Sequence, residues 1–367
     1  MAQADRVGVG LIGCGMIGQV HADGLAKLAA DGEVRAVAAA DPSPPAREAA
    51  NHNCEFERLT ADGNDVIDDP SVDAVLITAP TAAHRDLVLR TVAAGKPLFC
   101  EKPLAPAFGV VRELCDAVDG AGVVAQVGFH ARFHPLIRRL RELVDSGELG
   151  GAMGYTVRDD QYWPTGGVVD GHSSWRSERA EAGGGALLEH SIHAADIVSW
   201  VFGPATDVYA SMRSVFGYDV EDAAALTITH DNGVVGNLVT IFNGVRGREE
   251  RRLEIFFEEG AVEITTDFIV GAPEDSMLIQ RPDRVAERVD LTSMREVCFA
   301  ELGVERRDFL FYQYVSDRAF VASVRTGDRP SPGFDDALAA HALVDAAYRS
   351  STTGMPASVA CAPADVT

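Results

Sequence analysis

The stretch VGVGLIGCGMIGQVHADGL (Val7–Leu25) decides the fold. Its first part is a short apolar run closed by glycine, the pattern of a buried strand. Its second part, continuing through MIGQVHADGLAKLAA, carries apolar residues at helical spacing. Between them lies Gly13-x-Gly15-x-x-Gly18. A glycine triplet alone is a weak signal, but between a strand and a helix it is a specific one. The first glycine makes the tight turn. The second lets a pyrophosphate approach the backbone, and the third lets helix pack on strand. The helix start at Met16 and Ile17 then offers unpaired N–H groups and a partial positive charge to phosphates.

Moving outward, EVRAVAAAD reads as a second strand ending at Asp41, twenty-three residues past Gly18. A carboxylate there can accept hydrogen bonds from ribose hydroxyls. It favours NAD, because a 2′-phosphate would meet a like charge. Arg47, six residues on, softens that preference and keeps NADP possible. DAVLITAP, HRDLVLRTVAAG, PLFCEKPLA, GVVRELCDAVDGAG and VVAQVGF continue the alternation of strand and helix. Units of this kind build a doubly wound parallel sheet. A Rossmann dinucleotide-binding domain is therefore expected over residues 1–127.

Near Gly128 the pattern changes. HPLIRRLRELVDSGELG is a helix with a glycine stop, followed by strand-like runs such as MGYTVRDDQY, TDVYASMRSVF, AALTITH, GVVGNLVTIFN, RRLEIFFEEG, AVEITTD and SMLIQ. Gly, Asp and Asn punctuate them, which predicts a second α/β domain, residues 128–355, with a large, mostly antiparallel open sheet covered by helices on one face. RDFLFYQYVSDRAFVASVRTG and FDDALAAHALVDAAYRSSTTG are late helices closed by glycine. Residues 356–367 read as a short frayed tail. An open sheet with a free face suits a subunit interface, so a homodimer or homotetramer through this sheet is expected.

The chain has 367 residues, enough for two domains, with 47% hydrophobic and 24% charged residues. Its 55 acids against 32 Lys and Arg give a net charge of −23. That field disfavours nucleic acid and anionic membranes and leaves neutral polyols as partners. Six scattered cysteines without a CxxC read as reduced thiols. MAQADRVGVG has neither a basic n-region nor an apolar h-region, and no apolar run reaches the ~18 residues of a membrane span. The expected compartment is the cytoplasm.

GGGALLEHSIHAAD (Gly183–Asp196) raises the chemical question. Leu188, Ile192, Ala195 and Trp200 mark the apolar face of a helix. Glu189 and His193 are four apart and so share a side, with Asp196 three further along; His190 points elsewhere. One carboxylate beside one imidazole could orient its tautomer and raise its basicity. A metal would need more ligands than the run supplies, and no metal is expected. A merely structural amphipathic helix stays open, although three glycines suggest backbone passing close to a ligand or another chain. RDDQYWPTGGVVDGHSSWR adds Tyr162, Asp170, His172, Trp175 and Arg176, polar and aromatic groups that could line a polyhydroxylated substrate. Lys102 ends a strand at the carboxyl edge of the first sheet, where ligands bind, and Pro103 keeps it out of the helical region. Pro80 and His84 follow the third apolar strand near the same edge. His21 reads as packing.

With CEKPLA (Cys100–Ala105) after the fourth strand, the glycine turn at the start and GGGALLEHSIHAAD in the second domain, the chain resembles the Gfo/Idh/MocA oxidoreductases. The most specific stretch is ITAPTAAHRDLVLRTVAAGKPLFCEKPLA, and the resemblance runs from about Val7 to Met355. It implies a Rossmann domain followed by an α/β domain, and NAD(P)-linked chemistry at a hydroxyl or carbonyl carbon of a sugar, cyclitol or related polyol. It also implies that Lys102 sits by the nicotinamide and the reacting oxygen, that Glu101 contacts the cofactor ribose, and that His193 carries the proton. Glu189 stands where the family has aspartate, and His130 where relatives often have Asn or Arg; Arg132, expected beside the cofactor, and Phe133 fit the pattern. Two alternatives share the fold: an enzyme that keeps its NAD and cleaves or epimerises a glycoside through transient oxidation, and a non-enzymatic dinucleotide-binding regulator.

Overall fold

The computed structural model describes residues 6–162, 174–243, 245, 250–266, 275–293 and 312–360. The chain forms two compact units, residues 1–129 with 313–337, and residues 130–312 with 338–367.

The first unit is the expected doubly wound sheet. Its strands are β1 (Val7–Ile12), β2 (Val34–Ala40), β3 (Arg58–Thr60), β4 (Ala74–Ile77), β5 (Leu98–Cys100) and β6 (Ala125–Val127), in the order β3-β2-β1-β4-β5-β6. All pairs are parallel. Every residue of β1, β4, β5 and β6 is buried, as strands covered on both faces require. The helices are α1 (Met16–Ala30), α2 (Pro44–Asn53), α3 (Gly63–Ile67), α4 (His84–Ala93) and α5 (Phe108–Ala121). Pro44 opens α2 behind the Ser43 cap, and Gly122, at φ 64°, ends α5.

The linear reading misses the return of the chain. Residues 313–337 belong to this unit, not to the second. Gln126 Nε2 donates to the Ser316 carbonyl at 2.9 Å, and the Cys115 thiol to the Phe334 carbonyl at 3.2 Å. The first division falls after Phe129, two residues beyond the expected one.

The second unit is built on a nine-stranded mixed sheet. Its strands are β7 (Ala152–Tyr162), β8 (Ala205–Arg213), β9 (Ala223–His230), β10 (Val235–Asn243), β11 (Glu250–Phe257), β12 (Gly260–Thr266), β13 (Ser276–Gln280), β14 (Glu287–Arg288) and β15 (Ala357–Ser358). Their order is β14-β13-β12-β11-β7-β10-β9-β8-β15, with β7 parallel to β10 and every other pair antiparallel. The start of the supposed frayed tail is thus β15, paired with Asp207 and Val208 of β8. The helices are α6 (Pro135–Ser146), α7 (Arg179–Ala182), α8 (Ile192–Phe202) and most of Phe334–Thr353. Tyr155 of β7 stacks on Phe202 of α8, ring centroids 4.6 Å apart. Gly236, opposite Tyr155 in the register, makes room for that ring: a Cβ there would lie 2.0 Å from it.

Candidate active site

In the first unit the three glycines of the turn have three different reasons. Gly13 has φ +97° and its Cβ would strike the Ala79 nitrogen at 2.5 Å. Gly18 lies against the Gly13 carbonyl, which a Cβ would meet at 2.0 Å. Gly15 has nothing within 4 Å of its Cβ position and is exposed. Two glycines are forced by the protein itself; the middle one borders open space at the N-terminus of α1, which no side chain caps. Thr78 pins the turn, its hydroxyl donating to the Gly13 carbonyl at 2.6 Å. Asp41 braces it from the other side: Oδ2 accepts from the Cys14 N–H and Oδ1 from the Ser43 N–H, each at 2.8 Å. Arg47 donates to the Asp41 backbone carbonyl. Exposed Met16 and half-buried Ile17 open the helix. An open backbone cradle, a helix N-terminus and a carboxylate at the end of β2 fit a dinucleotide pyrophosphate and ribose.

Lys102, half-buried, follows β5. Its backbone N–H donates to Glu101 Oε2 at 3.0 Å. Glu101 is buried and turns its other oxygen, Oε1, to His21 Nε2 at 3.2 Å. Beyond Lys102, the Pro103 carbonyl lies 2.9 Å from His84 Nδ1, and the same ring places Nε2 2.8 Å from the Ala79 carbonyl. Each His84 nitrogen faces a backbone carbonyl, so the ring brackets the segment after Lys102; a neutral ring donates to one of the two. Burial lowers its pKa, and the two carbonyls pull the other way. Pro80 opens the short turn Thr81–Ala83 that leads into α4, its carbonyl accepting from the Ala83 N–H at 2.8 Å.

In the second unit the run after the glycines is not one helix. Residues Ala186–His190 form a π-helical turn, with the Ser191 N–H bonded to the Ala186 carbonyl at 2.9 Å, and α8 begins at Ile192. Such turns recur at functional sites. The triple glycine also has an internal reason: a Cβ on Gly184 would lie 2.0 Å from the Tyr348 hydroxyl, and one on Gly185 2.0 Å from the Glu221 carbonyl. The close approach is to the protein's own chain.

Glu189 and His193 are both buried. Glu189 Oε2 has the Arg176 Nε at 3.7 Å, and the Arg176 guanidinium lies over the Trp175 ring, 4.4 Å from its centroid. Two residues expected to line a substrate, Trp175 and Arg176, therefore meet the catalytic candidate Glu189. The His193 ring stands edge-to-face with His130 at 4.5 Å between centroids. Arg132 is buried and makes a forked pair with Asp196, its Nε 2.9 Å from Oδ2, while its guanidinium covers the Trp200 ring. Its charge is balanced within this unit. His190 points away to Asp159 Oδ1 at 2.9 Å, as the spacing predicts. Tyr162 ends β7, half-buried; Asp170 and His172 lie outside the described residues. Among the described residues no three His, Cys, Asp or Glu side chains gather as a metal site.

A family model described as an oxidoreductase family with an NAD-binding Rossmann fold matches residues 7–129, and the GFO/IDH/MocA C-terminal domain matches residues 137–263. The chain belongs to the Gfo/Idh/MocA oxidoreductases. As a member of that family it is an oxidoreductase whose first unit binds NAD(P). Inositol 2-dehydrogenase of Ralstonia nicotianae is 29% identical over 94% of this chain and 94% of its own. Myo-inositol 2-dehydrogenase of Thermotoga maritima is 26% identical over 93% and 95%. The fold also matches levoglucosan dehydrogenase in complex with NADH, with a TM-score of 0.84, 23% identity, and 97% and 99% of the two chains covered.

Four residues of this Gfo/Idh/MocA chain escape a local reading. His21 and Asp317 sit behind Glu101, and Glu221 and Tyr348 sit behind the glycine run. Their partners are far away in sequence, so no spacing rule could pair them.

Proposed function

We propose that the protein is an NAD(P)-dependent dehydrogenase acting on a secondary alcohol of a cyclitol, sugar or related polyol, with NAD preferred. The carrying observation is the open cradle at Gly15 braced by the Asp41 carboxylate, in a chain that aligns end to end with inositol dehydrogenases. When bound, the nicotinamide supplies hydride acceptance or donation. Gly13, Gly15, Gly18 and the first N–H groups of α1 hold its pyrophosphate, and Asp41 its ribose. Lys102 presents an ammonium to the reacting oxygen, stabilising negative charge that develops there. His193 takes the hydroxyl proton or returns it. Glu189 faces Arg176 and is assigned to orient the imidazole four residues on. Tyr162, Trp175 and Arg176 offer hydroxyl, aromatic and cationic contacts to a polyhydroxylated ring. No described helix is long and apolar enough to cross a membrane.

A panel of inositols, hexoses and sugar acids, each offered with NAD and with NADP and followed by reduced-nicotinamide absorbance, tests the reading. Turnover on a cyclitol or sugar with NAD is expected. Absence of turnover on every polyol with either cofactor would sink it.

A homodimer or homotetramer through the nine-stranded sheet completes the proposal. Its open face carries Tyr209, Val235, Ile241 and Phe256, all exposed and all on one side by register. Exposed apolar side chains of that size on one sheet face suit cover by another copy.

A further inference from the structure

The first unit contains a buried row of titratable groups that hydride chemistry does not require: Asp317, His21 and Glu101. His21 lies on the inner side of α1, one helical turn past Gly18, and is completely buried. Its Nδ1 faces Asp317 Oδ1 at 2.7 Å and its Nε2 faces Glu101 Oε1 at 3.2 Å. Each nitrogen meets a carboxylate oxygen, so the ring that satisfies both carries two protons. Burial opposes that charge, but the Asp317 and Glu101 carboxylates outweigh it and raise the imidazole to about 10.

The surroundings are shaped for this row. A Cβ on Gly128 would lie 2.5 Å from Glu101 Oε1, and one on Gly24 would lie 2.9 Å from Asp317 Oδ2. Two glycines thus leave notches for the two carboxylates. The Phe99 ring closes one side of His21, edge-on at 5.1 Å. One imidazolium cannot balance two buried carboxylates, and burial together with the Glu101 charge holds the Asp317 carboxyl above its ordinary range, so the row shares its protons between acid and ring.

The row ends on Lys102. Glu101 has one oxygen toward His21 and the other on the Lys102 N–H. A carboxylate held at both oxygens cannot turn freely about its own axis, so the bond to His21 steadies the oxygen that accepts from the Lys102 peptide. We infer that His21 is a positioning residue for Lys102: anchored by Asp317, it locks the Glu101 carboxylate so that Glu101 holds the Lys102 backbone. The inference rests on the proposed role of Lys102. It ties the helix that receives the phosphates, the strand end that carries the ammonium and the returning helix Tyr312–Thr326 into one rigid piece.

His21→Phe keeps an aromatic ring, a larger one, and removes both donors. The companion His21→Phe/Asp317→Leu also removes the carboxylate that faced Nδ1, leaving Glu101 as the single one beside the ring, and keeps the test open if the single variant fails to fold. The expected result is a kcat lower by about 10- to 100-fold, the size of effect a displaced catalytic group produces, with KM for substrate and the NADH dissociation constant nearly unchanged. Combined with Glu101→Gln, the losses should not add: the double variant should be as slow as the slower single one. A folded variant with wild-type kcat overturns the inference, as does a loss that multiplies with that of Glu101→Gln or falls equally on kcat, KM and NADH affinity. Lys102→Met, measured alongside, separates the two claims. If it keeps its turnover, the role of Lys102 fails; if it is inactive while His21→Phe is normal, only the positioning role fails.

Discussion

Gly185 donates its backbone N–H to Glu221 Oε1 at 2.9 Å, and its Cα sits so close to the Glu221 carbonyl that a Cβ would be 2.0 Å from that oxygen. The same Oε1 accepts from the Leu187 N–H at 3.0 Å and the Tyr348 hydroxyl at 2.8 Å, while the Glu221 carbonyl accepts from the Ala186 N–H at 2.8 Å. One residue therefore satisfies three of the unpaired N–H groups at the start of the turn that carries Glu189. Glu221→Ala keeps the backbone carbonyl and so the Ala186 bond, but strands the Gly185 and Leu187 N–H groups and the Tyr348 hydroxyl in a buried place, at about 1–3 kcal/mol for each that finds no water. Thermal unfolding of the variant should show a large drop in midpoint, and turnover should fall with it. Tyr348→Phe removes one bond and should cost only about 1 kcal/mol. Equal midpoints for both variants would contradict this account.

The glycine turn supports a sharper pair of substitutions. Gly15→Ala adds a Cβ to open space, so stability should change by about 1 kcal/mol or less, the scale of a helix-cap exchange. NADH affinity should nevertheless fall steeply, because the Cβ occupies the pyrophosphate cradle. Gly18→Ala drives a Cβ into the Gly13 carbonyl and should prevent stable folding. Unfolding midpoints and NADH fluorescence titrations separate the two. Tight NADH binding by Gly15→Ala would show that the cradle is used differently.

This contrast shows what could be read in advance. GxGxxG, the alternation of strand and helix and the Asp at the end of β2 are local patterns, and local patterns survive in a sequence. The first sheet and the cofactor cradle follow from them. Gly183–Gly185 are equally visible, but their cause is not: Tyr348 approaches from the last helix and Glu221 from the segment before β9. The π-helical turn depends on those same contacts, so helical spacing alone predicts one uninterrupted helix. His21 reads as packing because its partners, Glu101 and Asp317, stand 80 and 296 residues away. The return of residues 313–337 to the first unit is invisible for the same reason, since no composition shift marks it.

Asp159 sets an acid limit to stability. Burial raises its pKa, but the His190 and Arg251 charges and the hydrogen bonds from His190 and Ser191 win, so the carboxyl lies well below the usual carboxylate range. A folded pKa below the unfolded one gives stability that is present above the unfolded value, 3.8, and is lost as pH falls through the folded one. Asp159→Asn should therefore lower the unfolding midpoint at neutral pH and flatten its decline below pH about 4. A variant with the same acid slope as the wild type would assign that limit to other groups.

The described thiols should be inert in the native protein. Cys14, Cys54, Cys100 and Cys115 are all buried and unbridged. Burial, and then nearby carboxylates, push Cys14 and Cys115 up to about 12 and Cys54 to about 11, and raise Cys100 well above its ordinary value. Thiolate is the reactive form, so a disulfide reagent at mildly alkaline pH should titrate at most two of the six cysteines, Cys298 and Cys361, before denaturant is added. Rapid reaction of four or more in the native state would mean that the first unit opens.

The open sheet face makes a separate test of assembly. Val235 is 52% exposed and Phe256 49% exposed on neighbouring parts of one face, joined by their common partner Gly154. Val235→Lys with Phe256→Lys puts two like charges where a second copy is expected. Sedimentation should then shift from dimer or tetramer toward monomer, while NADH binding to the first unit is kept. An unchanged oligomer, or a wild-type monomer, removes the sheet from the interface.

Lys102 and His193 carry the chemical reading, and each can be removed without touching the cradle. Lys102→Met keeps the length and apolar stem and deletes the ammonium. His193→Asn keeps a polar side chain of smaller size at a buried position. Neither residue belongs to the Gly13–Gly18 turn or to Asp41, so NADH should bind both variants almost as it binds the wild type. A proton carrier or a charge stabiliser acts mainly in the transition state, so kcat and kcat/KM should fall together, by about 10²- to 10⁴-fold for loss of the acid–base group. A rise in KM with kcat preserved would instead make these residues substrate-holding groups. Full turnover in both variants would leave the dinucleotide cradle standing and place the acid–base chemistry on other side chains.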